Sequence, residues 1–71
     1  TSNGRIDLLL QTKDYIYVVE VKIDNTADAA LQQIEEKGYA KPFVNDPRKI
    51  FKIGVSFSTA NRRIEDWKVI E

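Results

Sequence analysis

Three ionisable residues in the first third of the chain have types and spacing that could do chemistry together: Asp7, Glu20 and Lys22. Glu20 and Lys22 lie near the end of the run YIYVVEVKID, Tyr15 to Asp24, which is otherwise rich in β-branched and aromatic residues. In a strand, alternate residues share a face, so Glu20 and Lys22 point the same way as Ile16 and Val18. That face begins apolar and finishes charged. Either it runs out of the core into solvent, or it holds two ionisable groups at the rim of a site.

The preceding segment, RIDLLLQT (Arg5 to Thr12), has the same strand-like composition, and only Lys13-Asp14 separates the two runs. This connection lacks the glycine that favoured hairpin turns carry. With a two-residue loop Thr12 pairs with Tyr15, which sets Asp7 opposite Glu20 and Arg5 opposite Lys22. Directly opposed residues leave a sheet on one face with Cβ atoms roughly 4.5–5.5 Å apart. Two carboxylates that close repel, and a cation between them relieves the repulsion. A divalent metal with a preference for oxygen does so well. Lys22, one pleat along, would then steady a developing oxyanion or position an attacking water. Against this stands the plainer alternative that charges near strand ends are ordinarily just solvated. A three-residue loop would also put Asp7 and Glu20 on opposite faces. The opposition of two acids is nevertheless uncommon by accident, because it costs stability.

Composition narrows the chemistry. The chain has 71 residues, enough for one small domain near the lower size limit for folding without staples. It contains no cysteine, which excludes disulfides and thiolate metal sites and fits the reducing cytoplasm. There is no histidine, so the commonest general base and the usual zinc ligand are absent. Any metal must take oxygen ligands, which favours magnesium, manganese or calcium. Eleven basic residues balance eleven acidic ones, so bulk charge gives no sign of a nucleic-acid partner. No apolar run approaches membrane-spanning length, and no membrane partner is expected. The chain opens at Thr1, directly before a strand, and is expected to be a single domain, 1–71, from the C-terminal part of a larger protein.

The elements that must position these residues follow from pattern. Asn25, with Asp28 three residues on, fits a helix N-cap with a capping-box partner. The segment TADAALQQIEEKGYAK then places Ala27, Ala30, Leu31, Ile34 and Gly38 on one helical stripe. Pro42 and Pro47 mark a loop. KIFKIGVSF (Lys49 to Phe57) alternates, with Phe51, Ile53, Val55 and Phe57 on one face; STAN is a turn, and RRIEDWKVI (Arg62 to Ile70) is a last strand. The order β-β-α-β-β predicts a mixed four-stranded sheet with one crossover helix, of the α/β (α+β) class, with the crossover right-handed. One helix covers only one face of such a sheet. Leu8, Leu10, Tyr17, Val19 and Val21, with Ile6, make the other face apolar as well, so a homodimer formed through it is expected of the chain by itself.

GRID (Gly4 to Asp7), twelve intervening residues, EVK (Glu20 to Lys22), a helix with ALQQIEEKGYA and a strand with KIGVSF together resemble the PD-(D/E)XK nuclease superfamily. More narrowly, they resemble the branch found C-terminal to bacterial AAA-ATPase-like modules. The resemblance runs from Gly4 to Trp67. It implies a restriction-endonuclease-like core and a Mg²⁺- (or Mn²⁺-) dependent phosphodiesterase site working through a metal-bound water. Asp7 and Glu20 would hold the metal, with the Val21 backbone carbonyl as a further ligand. Lys22 would orient the water and stabilise charge at phosphorus. Gln33 would match the helix glutamine that shapes the site in many relatives, since the A-L-x-Q-I spacing selects it over Gln32; by itself it is a solvent-facing helix residue. Tyr39 would line the substrate groove, although an aromatic at a helix end is more often packing. Two departures stand out. Ile6 occupies the place of the eponymous proline, and this sequence opens at the aspartate strand, whereas relatives place a helix and a strand before it.

Three functions remain open. The chain is a nuclease domain cutting nucleic acid, DNA ahead of RNA; or a nuclease-like module that binds nucleic acid or protein without cutting; or a structural appendage of an ATPase module lying N-terminal to it. Retention of Asp7, Glu20 and Lys22 favours the first. Arg48, Lys49, Lys52, Arg62 and Arg63 offer phosphate contacts, but in a chain of neutral net charge such residues are ordinarily plain surface.

Overall fold

The computed structural model describes the backbone of residues 5–71 and the side chains from Asp7 onward. Gly4 of the GRID motif and the side chains of Arg5 and Ile6 lie outside the described residues. The elements are β1 (Arg5–Gln11), β2 (Tyr15–Ile23), α1 (Ala27–Lys37), a 3-10 turn at Lys41–Phe43, β3 (Lys49–Ser58) and β4 (Arg63–Ile70). They form one mixed sheet in the order β1-β2-β3-β4, with α1 crossing between the parallel strands β2 and β3. The outer pairs are antiparallel. This is the β-β-α-β-β architecture expected from the pattern.

The first hairpin closes without glycine. Neither Lys13 nor Asp14 takes a positive φ. Thr12 substitutes a side-chain lock: its N–H donates to the Tyr15 carbonyl at 2.8 Å, and its hydroxyl accepts from the Tyr15 N–H at 2.9 Å. The loop therefore has two residues, and the register follows, with Arg5 opposite Lys22, Asp7 opposite Glu20 and Gln11 opposite Ile16. Arg48 braces the same turn, donating to the Thr12 carbonyl and to Gln11 Oε1.

Helix α1 starts one residue later than the capping pattern suggested. Thr26 is the N-cap, accepting from the Ala29 N–H at 3.0 Å, while Asn25 Oδ1 accepts from the N–H of Thr26. Asp28 bonds the Lys68 ammonium on β4 instead of completing a capping box. Ala27, Ala30, Leu31 and Ile34 face the sheet and are buried there, and Gly38 is the left-handed C-cap (φ 65°). The core is small: Ile16, Val18, Leu31 and Ile34, with Tyr39, Ala40, Phe43 and Ile50 packed around it.

The opposite sheet face has no cover among the described residues. Leu8, Leu10, Ile64, Trp67 and Val69 are about half exposed or more, with Trp67 the most open at 65%. Tyr17 and Phe51 stack on this face with ring centroids 5.5 Å apart.

Candidate active site

Strand register brings three of the predicted residues to one place. Asp7 and Glu20 are cross-strand partners on the helix side of the sheet, so their Cβ atoms are roughly 4.5–5.5 Å apart. Lys22 follows on the same face, roughly 6.6 Å along β2, beside Ser56 of β3. Burial grades across the group: Glu20 is 0% exposed, Lys22 is half-buried and Asp7 is exposed. Burying a carboxylate is costly unless its charge is matched. An apolar residue would take the Glu20 position with less penalty, which sets Glu20 apart from an ordinary strand-end charge.

The depth of Glu20 follows from what packs beside it. Its β3 partner is Gly54, over which α1 lies directly. A Cβ built on Gly54 would stand 2.5 Å from the Ala27 carbonyl oxygen, 2.9 Å from Leu31 Cγ and 3.0 Å from the Leu31 nitrogen. An isolated glycine inside a strand pattern is a sign of such close backbone approach, and it is the signal that could have found this contact. The small side chains of Ala27 and Ala30, both buried, complete the seat of the helix.

A further contact was not foreseen. The Tyr39 hydroxyl donates to Asp7 Oδ2 at 3.2 Å, spanning 32 residues of sequence. A recess of about 180 Å³ opens here, with Asp7, Leu9, Val18 and Tyr39 in its lining. A larger hollow of about 490 Å³ lies at the N-terminus of α1, but Asp24, Glu65 and Asp66 make its lining acidic, which suits a phosphate poorly. The Asp24 carboxyl is held below its usual range there by the Thr59 hydroxyl and N–H.

Gln33 is half-buried, whereas Gln32 is exposed and bonds Glu36. At about 100° per residue, Gln33 projects from the flank of α1 opposite Asp28 and Glu35. Those two acids bond Lys68 and Lys52 and so mark the β3–β4 side. Gln33 thus overhangs the β1–β2 side, although no hydrogen bond ties its amide to either carboxylate among the described residues.

The basic residues act chiefly as surface ties. Arg48 pairs with Asp46, Lys49 with Glu71 and Lys52 with Glu35. The Arg48 guanidinium and N–H hold the Asp46 carboxyl at about 2, well below its ordinary 3.8.

The donor set fits a hard divalent cation. Among the described residues no group of three or more His, Cys, Asp and Glu side chains is placed to hold a metal. Two facing carboxylates are what the described side chains offer, and the Val21 carbonyl lies in the sheet plane between Glu20 and Lys22. Mg²⁺ is commonly held by one or two carboxylates while it keeps several waters, so this set is sufficient in kind. No helix of the described residues is long and apolar enough to cross a membrane.

Comparison with known proteins gives the chain its place. It is 36% identical over 66 residues to an "Uncharacterized protein in vnfD 5'region" of Azotobacter chroococcum mcd 1, a match covering 90% of this chain and 13% of that protein. The chain therefore spans about an eighth of the length of this relative. No solved structure matches it. The family model that matches, over residues 1–67, is that of the PD-(D/E)XK nuclease superfamily, in which divalent metals are generally used. With the match covering nearly the whole chain, the chain belongs to the PD-(D/E)XK nuclease superfamily.

Proposed function

We propose that the chain hydrolyses nucleic-acid phosphodiesters with a bound divalent metal, Mg²⁺ or Mn²⁺. The observation that carries this is the opposition of Asp7 and a wholly buried Glu20, with Lys22 next on the same face. When bound, the metal would neutralise the phosphate charge and lower the barrier to attack by water. Asp7, Glu20 and the Val21 carbonyl would hold it. The Lys22 ammonium donates to the attacking water or to a non-bridging phosphate oxygen, where negative charge grows in the transition state. Gln33, from the flank of α1 above, limits how the phosphate sits. In the reaction a water oxygen adds to phosphorus, one ester P–O bond breaks, and a proton of the water ends on the leaving oxygen.

DNA is the preferred substrate over RNA in this reading. The domain is a cytoplasmic one, attached in the larger protein to an AAA-ATPase-like module that precedes it. Plasmid DNA, single-stranded DNA and RNA incubated with Mg²⁺ or Mn²⁺ test the proposal. Metal-dependent cleavage by the wild type that Lys22→Ala abolishes supports it. Binding of nucleic acid without cleavage would favour the second reading, a catalytically inactive binding module. Among the described residues the site holds two carboxylates, one of them fully buried, and this small acidic set is what favours that reading.

A further inference from the structure

Helix α1 ends in a way that fixes one particular side chain. The Gly38 N–H donates to the Ile34 and Glu35 carbonyls at 3.1 and 3.2 Å, and the Tyr39 N–H reaches back to Ile34 at 3.3 Å. This is a Schellman turn, which needs a left-handed residue at its centre, and Gly38 supplies it with φ 65°. The turn folds the residue after it back onto the helix. Tyr39 accordingly packs against the core cluster that contains Ile34, leaving its hydroxyl at the rim beside Asp7.

We infer that Tyr39 is a positioning residue for the metal ligand Asp7. The inference rests on the metal-dependent reading above. Asp7 is the exposed member of the carboxylate pair, and its side chain turns about two torsions unless contacts hold it. The phenol hydrogen bond to Oδ2 is one such contact and narrows the orientations that the carboxylate takes. An ionised carboxylate has two oxygens and about four lone-pair sites, so a bond to one oxygen leaves capacity for a cation. Ligating carboxylates are commonly held by such outer hydrogen bonds, and loss of the partner weakens metal binding by roughly 10–100-fold. At 3.2 Å and close to solvent, the Tyr39 bond belongs at the lower end of that range.

Titration calorimetry with Mn²⁺ on the wild type and Tyr39→Phe tests this, because phenylalanine keeps the ring and removes only the donor. The expected result is a Kd raised about ten-fold, with the metal-free melting temperature unchanged. Equal affinities would overturn the positioning role and leave the metal site standing. No Mn²⁺ binding by the wild type would overturn both. Should Tyr39→Phe fail to fold, ¹³C-tyrosine spectra of the wild type decide the question. On adding Mg²⁺ the Tyr39 ring Cζ signal should move while those of Tyr15 and Tyr17 stay; a stationary Tyr39 signal would overturn the inference.

Discussion

Substituting alanine for Gly54 tests whether α1 rests on the sheet as closely as the geometry requires. The φ of Gly54 is not in the left-handed region, so alanine meets no backbone penalty there. It even reduces the freedom of the unfolded chain, a gain of about 0.4–1 kcal/mol. Space opposes it. The new methyl would sit 2.5 Å from the Ala27 carbonyl oxygen, whereas ordinary contact begins at 3.4 Å. That oxygen belongs to the helix backbone and cannot swing aside like a side chain, so α1 must lift by several tenths of an ångström. Overpacking costs about 1–3 kcal/mol, and because the obstacle is helix backbone the upper half of that range applies, which outweighs the gain and leaves a net loss of about 1–2 kcal/mol. For a domain of this size each kcal/mol moves the melting temperature by roughly 4–8 °C, so a fall of roughly 5–15 °C is expected by circular dichroism. A variant melting within about 2 °C of the wild type would refute the close seating of α1, and with it the account of why Glu20 is buried.

Excess Mn²⁺ at about a hundred times its Kd should stabilise the wild type by about 2.7 kcal/mol through mass action, and Asp7→Asn should lose that response; equal shifts in melting temperature would reject Asp7 as a ligand. The Asp46–Arg48 pair should leave a signature in acid. Because the folded Asp46 carboxyl is depressed from 3.8 to about 2, its contribution is present above pH 3.8 and is lost as pH falls toward 2. Asp46→Asn should therefore be the less stable protein in urea at neutral pH, and its deficit should shrink only within that acid window; a pH-independent deficit would mean that the pair is not its source. The chain by itself should self-associate through the uncovered sheet face, where each exposed Leu or Ile forgoes roughly 1.5–3 kcal/mol of burial. Light scattering from a folded monomer at high concentration would count against this, and Trp67→Lys should weaken the association.

What was legible in the sequence was local. Period-two alternation from Tyr15 and from Lys49 located β2 and β3, and helical spacing from Ala27 to Ile34 located the buried face of α1. The carboxylate pair was legible because a two-residue loop determines a hairpin register outright, and Thr12 supplies the side-chain lock that makes such a loop stable without glycine. Boundaries slipped by a residue where two polar side chains competed, as Asn25 and Thr26 do at the start of α1. The bulge that pairs Ser56 with Asp66 and Phe57 with Ile64, setting Glu65 out of step, had no signal in the RRIEDWKVI pattern. The seat over Gly54 and the bond from Tyr39 to Asp7 depend on how a helix lies across strands distant in sequence. Periodicity within one element carries no information about that.

These two contacts give α1 a double hold on the acid pair. Its first turns lie on Gly54, next to Glu20, and its C-terminal turn delivers Tyr39 to Asp7. The hairpin alone sets the spacing of the carboxylates, because their register is decided between Thr12 and Tyr15. The helix decides instead how deeply one is buried and how the other is oriented. Changes in the hairpin loop should therefore destroy the site by moving Asp7 to the other face. Changes in α1 and its cap should keep the pair opposed while altering its hold on a cation. Gly38→Ala makes the distinction sharp: its Cβ would meet the Lys41 side chain at 2.9 Å and must adopt a left-handed conformation that alanine disfavours. The variant should weaken Mn²⁺ binding through Tyr39 while cross-strand nuclear Overhauser contacts between the backbones at Asp7 and Glu20 persist. Loss of those contacts would mean that the helix, and not the hairpin, holds the register.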